Sequence, residues 1–282
     1  MQPRLKAQES PQKISSKHYS PRERCRALET WRLVDHEYRD NPSMNLAVEE
    51  AIPRMVGEGK APSTVRFWHN SNTIVIGCFQ SAKLEVNMQA CKETGTEIVR
   101  RFTGGGAVYH DSGNLNYAIS LPKGHRLVPD HNLQSVFQRL SEGAVEGLRR
   151  LGVKAEFQPV NDIQVDGKKV SGAAGSIRWN SVFHHGCILV NSDLSILGKV
   201  LNVPRAKLED RHVASVQKRV TTVRDELGRD ISTREVADAI VGGIESCYEV
   251  RVESGVLMKE EVGLAEELYQ TKYSRLEWNL EP

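Results

Sequence analysis

The chain has 282 residues, 39% hydrophobic and 26% charged, with a formal net charge of +2. That composition is ordinary for a globular protein and excludes a largely disordered or fibrous chain. A mean hydropathy of -0.45 and the lack of any apolar run of about eighteen residues exclude a transmembrane helix.

The charge is uneven. Residues 1–26 hold seven Lys/Arg against two Asp/Glu, which leaves 31 against 34 in the remainder. The body is therefore near neutral and lacks the clustered basic charge of a nucleic-acid surface. Residues 1–28 are expected to form a flexible basic tail, because Pro3, Pro11 and Pro21 interrupt a polar stretch with little to bury. The tail has no apolar core of a secretory signal; its serines and basic residues leave a transit peptide as the alternative. Five scattered cysteines (Cys25, Cys78, Cys91, Cys187, Cys247), with no CxxC or Cys/His zinc spacing, read as reduced thiols of a cytoplasmic protein.

In chain order, a helix is expected over 41–55, entered through Ser43 and disturbed by Pro53. Strands are expected at 64–68, 73–77 and 97–102, with a helix over 86–93 stopped by Gly95. The clearest helix covers 131–151. Leu133, Val136, Phe137, Leu140, Ala144, Leu148 and Leu151 recur at three- and four-residue spacing, a stripe that reads as core. Asp166-Gly167 is a two-residue hairpin signal between 163–165 and 169–170, and 183–190 reads as a further strand. Ser232 and Glu235 form a capping box opening a helix with Val236, Ile240 and Ile244; a last helix covers 259–269. The mixture predicts the α+β class, with a mixed, largely antiparallel sheet flanked by helices.

Chemistry concentrates in RRFTGGGAVYHDSGNLN, residues 100–116. Consecutive glycines let the backbone approach a ligand and leave bare N–H groups, which suit phosphates and carboxylates. Arg100 and Arg101 add fixed positive charge, but strand neighbours face opposite sides, so only one of them points into a site. Without a ligand the stretch would be a glycine-rich hairpin. It is neither a P-loop nor a dinucleotide fingerprint. Residues 111–114 read as a turn joining strand 107–110 to strand 115–120, which makes His110 either a ligand contact or simply a hydrogen-bonded strand end.

A second stretch, NDIQVDGKKVSGAAG (161–175), sets Asn161 and Asp162 beside a strand and Lys168 and Lys169 on opposite faces of the next. An inward lysine would clamp a carboxylate and a phosphate together for attack; taken alone it would be a solvated turn lysine. In HHGC (184–187), adjacent strand residues cannot readily share a metal. Cys187 with His185 as base is a nucleophile candidate, set against an inert core thiol.

Together these stretches resemble the lipoate–protein ligase family, over about residues 31–278. The motifs are NPSMNLAVEEA, TIVIGCFQ, RRFTGGGAVYHDSGNLNY, NDIQVDGKKVSGAAGS, HHGCILVNSDL and SVQKRVTTV. The resemblance implies a catalytic domain of the biotin/lipoate ligase type over 29–250, with a C-terminal helix and tail over 251–282. It implies activation of lipoate by ATP to lipoyl-AMP, and transfer to a lysine of a lipoyl domain. That domain would belong to a 2-oxoacid dehydrogenase E2, a glycine-cleavage H protein or similar. Lys169 would be the catalytic lysine, bridging the lipoate carboxylate and the α-phosphate. By the same resemblance ATP would lie against Arg101, the backbone of Gly106, Ala107, Val108 and Tyr109, and Asn161, Asp162 and Lys169. Asp162 would help place a magnesium ion. The lipoyl group would lie along Trp68, Thr103, Gly105 and His110, and along Lys169, Gly172, Ala174 and His185.

The sequence departs from the family pattern in three places. Ala173-Ala174 stand where the family usually has Ser-Ala, and Cys187 stands where Thr usually follows His-His-Gly. The chain ends soon after Leu276-Glu277-Trp278-Asn279, without the accessory domain of two-domain members. This predicts a bipartite ligase with a separate accessory subunit; the alternatives are a self-sufficient chain or one that transfers preformed lipoyl-AMP. An octanoyltransferase, the nearest rival, would need a cysteine at or near Val182 or within 156–160, where none stands. The arginine–glycine alternation of biotin ligases is replaced by RRFTGGG, and a non-catalytic lipoyl-domain binder would not need Lys169. No nucleic-acid or membrane partner is expected.

Overall fold

A computed structural model describes residues 28–130, 132–202 and 219–281. The expected tail (apart from Leu28), His131 at the start of its helix, and residues 215–218 of SVQKRVTTV lie outside the described residues.

The strands form two sheets. The large one comprises β1 (Glu29–Val34), β2 (Thr64–Trp68), β6 (Asn114–Pro122), β7 (Glu156–Gln158), β8 (Asp162–Val165), β9 (Lys168–Arg178), β10 (Ser181–Leu189) and β11 (Val250–Ser254). Their order is β11-β1-β2-β6-β10-β9-β8-β7. The small sheet holds β3 (Thr73–Ile76), β4 (Glu97–Arg100) and β5 (Val108–His110), ordered β4-β3-β5. β1 runs parallel to β11 and β2, and β3 parallel to β4; the other pairings are antiparallel. The expected α+β class with a mixed, largely antiparallel sheet is the class observed.

The helices are α1 (Pro42–Gly57), α2 (Ala82–Glu85), α3 (Met88–Thr94), α4 (Leu133–Arg150), α5 (Leu194–Val200), α6 (Val223–Leu227), α7 (Thr233–Tyr248), α8 (Lys259–Leu268) and α9 (Leu276–Leu280), with a π-helical turn at Tyr269–Tyr273. Among the described residues no helix is long and apolar enough to cross a membrane. Alternation along β2 sorts the faces. Val65 and Phe67 pack with α4 and α7, through Val136, Leu140, Ile240 and Ile244, while Arg66 and Trp68 face α1. α1 in turn packs against the small sheet and α8, through Ala51, Val56, Val75 and Ala265.

Several local expectations are corrected. Asn41, not Ser43, caps α1 by accepting the Met44 N–H. As expected, α1 runs past Pro53, and it continues to Gly57, burying Ala51, Ile52, Met55 and Val56 on both sides of the proline. The helix expected over 86–93 begins only at Met88, as α3, since Val86 is extended and Asn87 caps α3; the short α2 precedes the expected span. The stripe of α4 begins at Val136; Leu133 is 40% exposed. The hairpin at Asp166-Gly167 forms, with φ of 47° and 76° as a type I′ turn requires. Residues 111–114 join two different sheets rather than closing a hairpin, while the glycine loop connects β4 and β5 within the small sheet.

Candidate active site

A cavity lies between the large sheet, the small sheet and α1. Register places Trp68, Asn116, Cys187 and Gly172 side by side in one row across β2, β6, β10 and β9; His185 and Ala174 stand in the next row. The small-sheet side supplies Val75, Arg101, His110 and the loop Gly105–Val108, while α1 supplies Leu46 and Glu49. Gly105, Asn161, Ala173 and Ala174 also border an outer groove that runs over Phe79, Phe102 and Phe137. Most of the expected site residues thus converge on one cavity. Thr103 stands one bond back, and Tyr109 is turned away. Its side chain packs with Ile74 and Ile76, and its hydroxyl donates to Asn72 Oδ1 at 3.1 Å.

Lys169 lies on the inner face of β9, and the exposed Lys168 on the outer. Its Nζ is 2.6 Å from Asp162 Oδ1. Gly172 makes room for it: a Cβ there would stand 2.5 Å from Nζ. Asn161 is tied to β9 from both ends, its side-chain amide donating to the Ala173 carbonyl and its own carbonyl accepting the Ala173 N–H.

Arg100 and Arg101 are both buried and divide as alternation requires. Arg100 is spent on the fold. It donates to the carbonyls of Gly77, Gln80 and Trp278, and its backbone N–H donates to Asn279 Oδ1. Arg101 faces the cavity and clamps the glycine loop, donating from Nη2 to Gly104 O at 2.7 Å and Gly106 O at 2.8 Å. Burial lowers its pKa to about 10, against the pull of Glu49, so it stays cationic at neutral pH. Above that charge the N–H groups of Gly104, Gly105, Gly106 and Ala107 donate to nothing among the described residues, and Gly105 has φ +94°. Bare N–H groups beside a buried guanidinium suit an anion.

One buried chain was not foreseen. Glu49 Oε1 is 2.7 Å from His185 Nδ1, His185 Nε2 is 2.7 Å from Thr103 Oγ1, and Thr103 accepts from Arg101 Nε at 3.1 Å. The signal for Glu49 was a carboxylate on the apolar face of a helix, which is buried only when partnered. Asn70 and Asn116 were also missed. Cys187 lines the cavity, but burial raises its thiol pKa, against the opposing pull of Lys169. His185, its neighbour on the same strand face, has both ring nitrogens engaged. Among the described residues no group of three or more His, Cys, Asp or Glu is placed to hold a metal.

The family described as Lipoyl protein ligase A/B catalytic domain matches residues 41–245. The chain is 36% identical to Lipoate-protein ligase A subunit 1 of Thermoplasma acidophilum, over 88% of this chain and 96% of that protein. It is 33% identical to Octanoyltransferase LipM of Brevibacillus brevis, over 90% and 99% respectively. Among solved structures it resembles one from a study of a bi-partite lipoate protein ligase and its E2 lipoyl domain from Thermoplasma acidophilum, with TM-score 0.82, 35% identity, and coverage of 90% of this chain and 97% of that one. It also resembles a lipoate-protein ligase A bound with ATP (TM-score 0.79, 34% identity, 89% and 99% coverage). A third likeness is to a Thermoplasma acidophilum protein with bound lipoic acid (0.77, 33%, 90% and 100%).

Proposed function

The chain belongs to the lipoyl protein ligase A/B catalytic-domain family, and from that premise we propose that it activates lipoate with ATP and transfers the lipoyl group to a lysine of a lipoyl domain. A lipoate carboxylate oxygen attacks the α-phosphorus, the bond to pyrophosphate breaks, and lipoyl-AMP forms. The neutral amine of the acceptor lysine then attacks the acyl carbon, gives up a proton, and AMP leaves.

Convergence carries this reading: Lys169, the bare loop N–H groups and the Arg101 guanidinium meet in one cavity. Lys169 would hold the carboxylate and the α-phosphate together, countering the charge that builds as the anhydride forms. The loop N–H groups of Gly106 and Ala107, with Arg101 beneath, would take phosphate oxygens. Val108 and the Tyr109 backbone would lie beside them, and Asn161 would border the nucleotide. The acyl chain would run inward past Gly105, Gly172, Ala174 and His185 towards Trp68 and His110, with Thr103 supporting His185. Asp162 is a single carboxylate already against Lys169. It suits magnesium only where phosphate oxygens and water supply the other ligands, and the ion would there neutralise phosphate charge.

The acceptor would be a lipoyl domain of the E2 or H-protein kind. A separate accessory subunit is supported by likeness, since the chain matches 96% of a protein named subunit 1 and resembles a structure from a bi-partite ligase study.

A second reading, octanoyl transfer through Cys187, is favoured by the coverage of the LipM relative and by the thiol's place in the cavity. The raised thiol pKa and the engaged His185 argue against it. The deciding assay measures lipoate-dependent pyrophosphate release and the mass shift of a lipoyl domain, with ATP and magnesium. The Lys169→Ala variant is expected to lose at least about a hundredfold in adenylation with its melting curve unchanged. Activity only from supplied lipoyl-AMP would point to the accessory subunit. Activity only from octanoyl carrier protein, abolished by Cys187→Ser, would replace ligation with acyl transfer.

A further inference from the structure

Resting on the acyl-site assignment above, we propose that His110, locked by a buried relay as an Nε2–H donor, reads the far end of the acyl chain with Trp68, so that the cavity favours a sulfur-bearing tail over a plain alkyl one.

The relay starts at groups that can only donate. Arg66 Nη2 and the Tyr38 N–H both donate to Asn45 Oδ1, at 2.8 and 3.0 Å. Asn45 must then present its NH2 end, which donates to Asn70 Oδ1 at 2.8 Å. That orients Asn70, whose Nδ2 donates to His110 Nδ1 at 3.2 Å. Nδ1 is therefore an acceptor, and the ring proton sits on Nε2. Burial and the neighbouring Arg101 lower the His110 pKa to about 3, so the neutral tautomer persists through the working range.

His110 Nε2 is buried and has no partner, and the same holds for Trp68 Nε1, which chemistry permits only to donate. Both residues line the inner cavity and neither borders the outer groove. The row from Gly172, over which the Lys169 ammonium lies, through Cys187 and Asn116 to Trp68 crosses three strand spacings. That is roughly 14 Å, room for a medium-chain acid whose carboxylate sits at Lys169. An alkyl tail reaching this end leaves two buried donors unpaired, whereas the dithiolane sulfurs of lipoate are weak acceptors. Sites built to hydrogen-bond a substrate group reject analogues that lack it.

The test is equilibrium binding of lipoate and of octanoate to the full chain by calorimetry, without ATP. The wild type is expected to bind lipoate on the order of tenfold more tightly, the factor of one unpaired buried donor. His110→Phe is expected to close most of that gap by weakening lipoate, and His110→Gln, which keeps an amide donor, to restore part of it. Asn70→Leu removes a positioning residue. It is expected to narrow the gap and to shift the His110 ring nitrogen signals away from the Nε2–H pattern of the wild type. Equal affinity for the two acids in the wild type, or equal weakening of both by His110→Phe, overturns the selectivity while leaving an acyl site. Binding of neither acid overturns the acyl site and the selectivity with it.

Discussion

At Lys169 a glycine three residues away governs the geometry of a charge. The ammonium occupies the space a side chain at 172 would fill, and that space sets its approach to Asp162. Gly172→Ala is expected to push the ammonium off its position and lower adenylation about tenfold, the scale of a misplaced charge-stabilising group, at unchanged thermal stability. A turnover equal to wild type would show that Lys169 does not work from this position. Lys169 was legible in the sequence because Asp166-Gly167 sets the turn and strand alternation then separates it from Lys168. Glu49 and Asn70 were not legible as site residues: their partners, His185 and His110, are distant in the chain, and only folding brings them together.

Elements succeed or fail by whether their determinants are local. α4 and α7 announce themselves by periodicity and by the Ser232–Glu235 capping box, which forms as expected. Their contact does not announce itself. The two backbones meet at glycines, and a Cβ on Gly243 would stand 2.1 Å from the Gly143 carbonyl oxygen and 2.6 Å from Gly147 N. Gly243→Ala must force the helices apart and is expected to cost about 1–3 kcal/mol, read as a lower urea midpoint at unchanged slope. β1, β11, α5, α6 and α9 escaped the sequence analysis because they are short and their stabilising pairings are remote. β1 pairs with β11 across the length of the chain, and α9 is held by Arg100 through Trp278 and Asn279. α1 runs through Pro53 because burial along its length outweighs a local breaker.

For the whole molecule, two buried histidines make stability depend on pH. Burial lowers the pKa of both His110 and His184 from 6.5 to about 3. The unfolded chain therefore binds more protons below pH 6.5, and stability is full above that value and lost as pH falls from 6.5 towards 3. His184 lies between β10 and α4, 3.3 Å from Ser141 Oγ, away from the cavity chemistry. The urea midpoint is expected to fall between pH 7 and pH 4, and to fall less steeply in His184→Gln; parallel slopes would remove His184 as a cause. The sequence by itself determined the class of the fold, the hairpin that presents Lys169 and the glycine loop, because turn chemistry and periodicity act over a few residues. Tertiary structure alone decided that the chain crosses from the small sheet to the large one at the turn after β5, and that Glu49 and Asn70 enter the cavity. Those outcomes depend on which strands pair and which buried polar groups must find partners. Neither is settled until segments far apart in the chain are packed together.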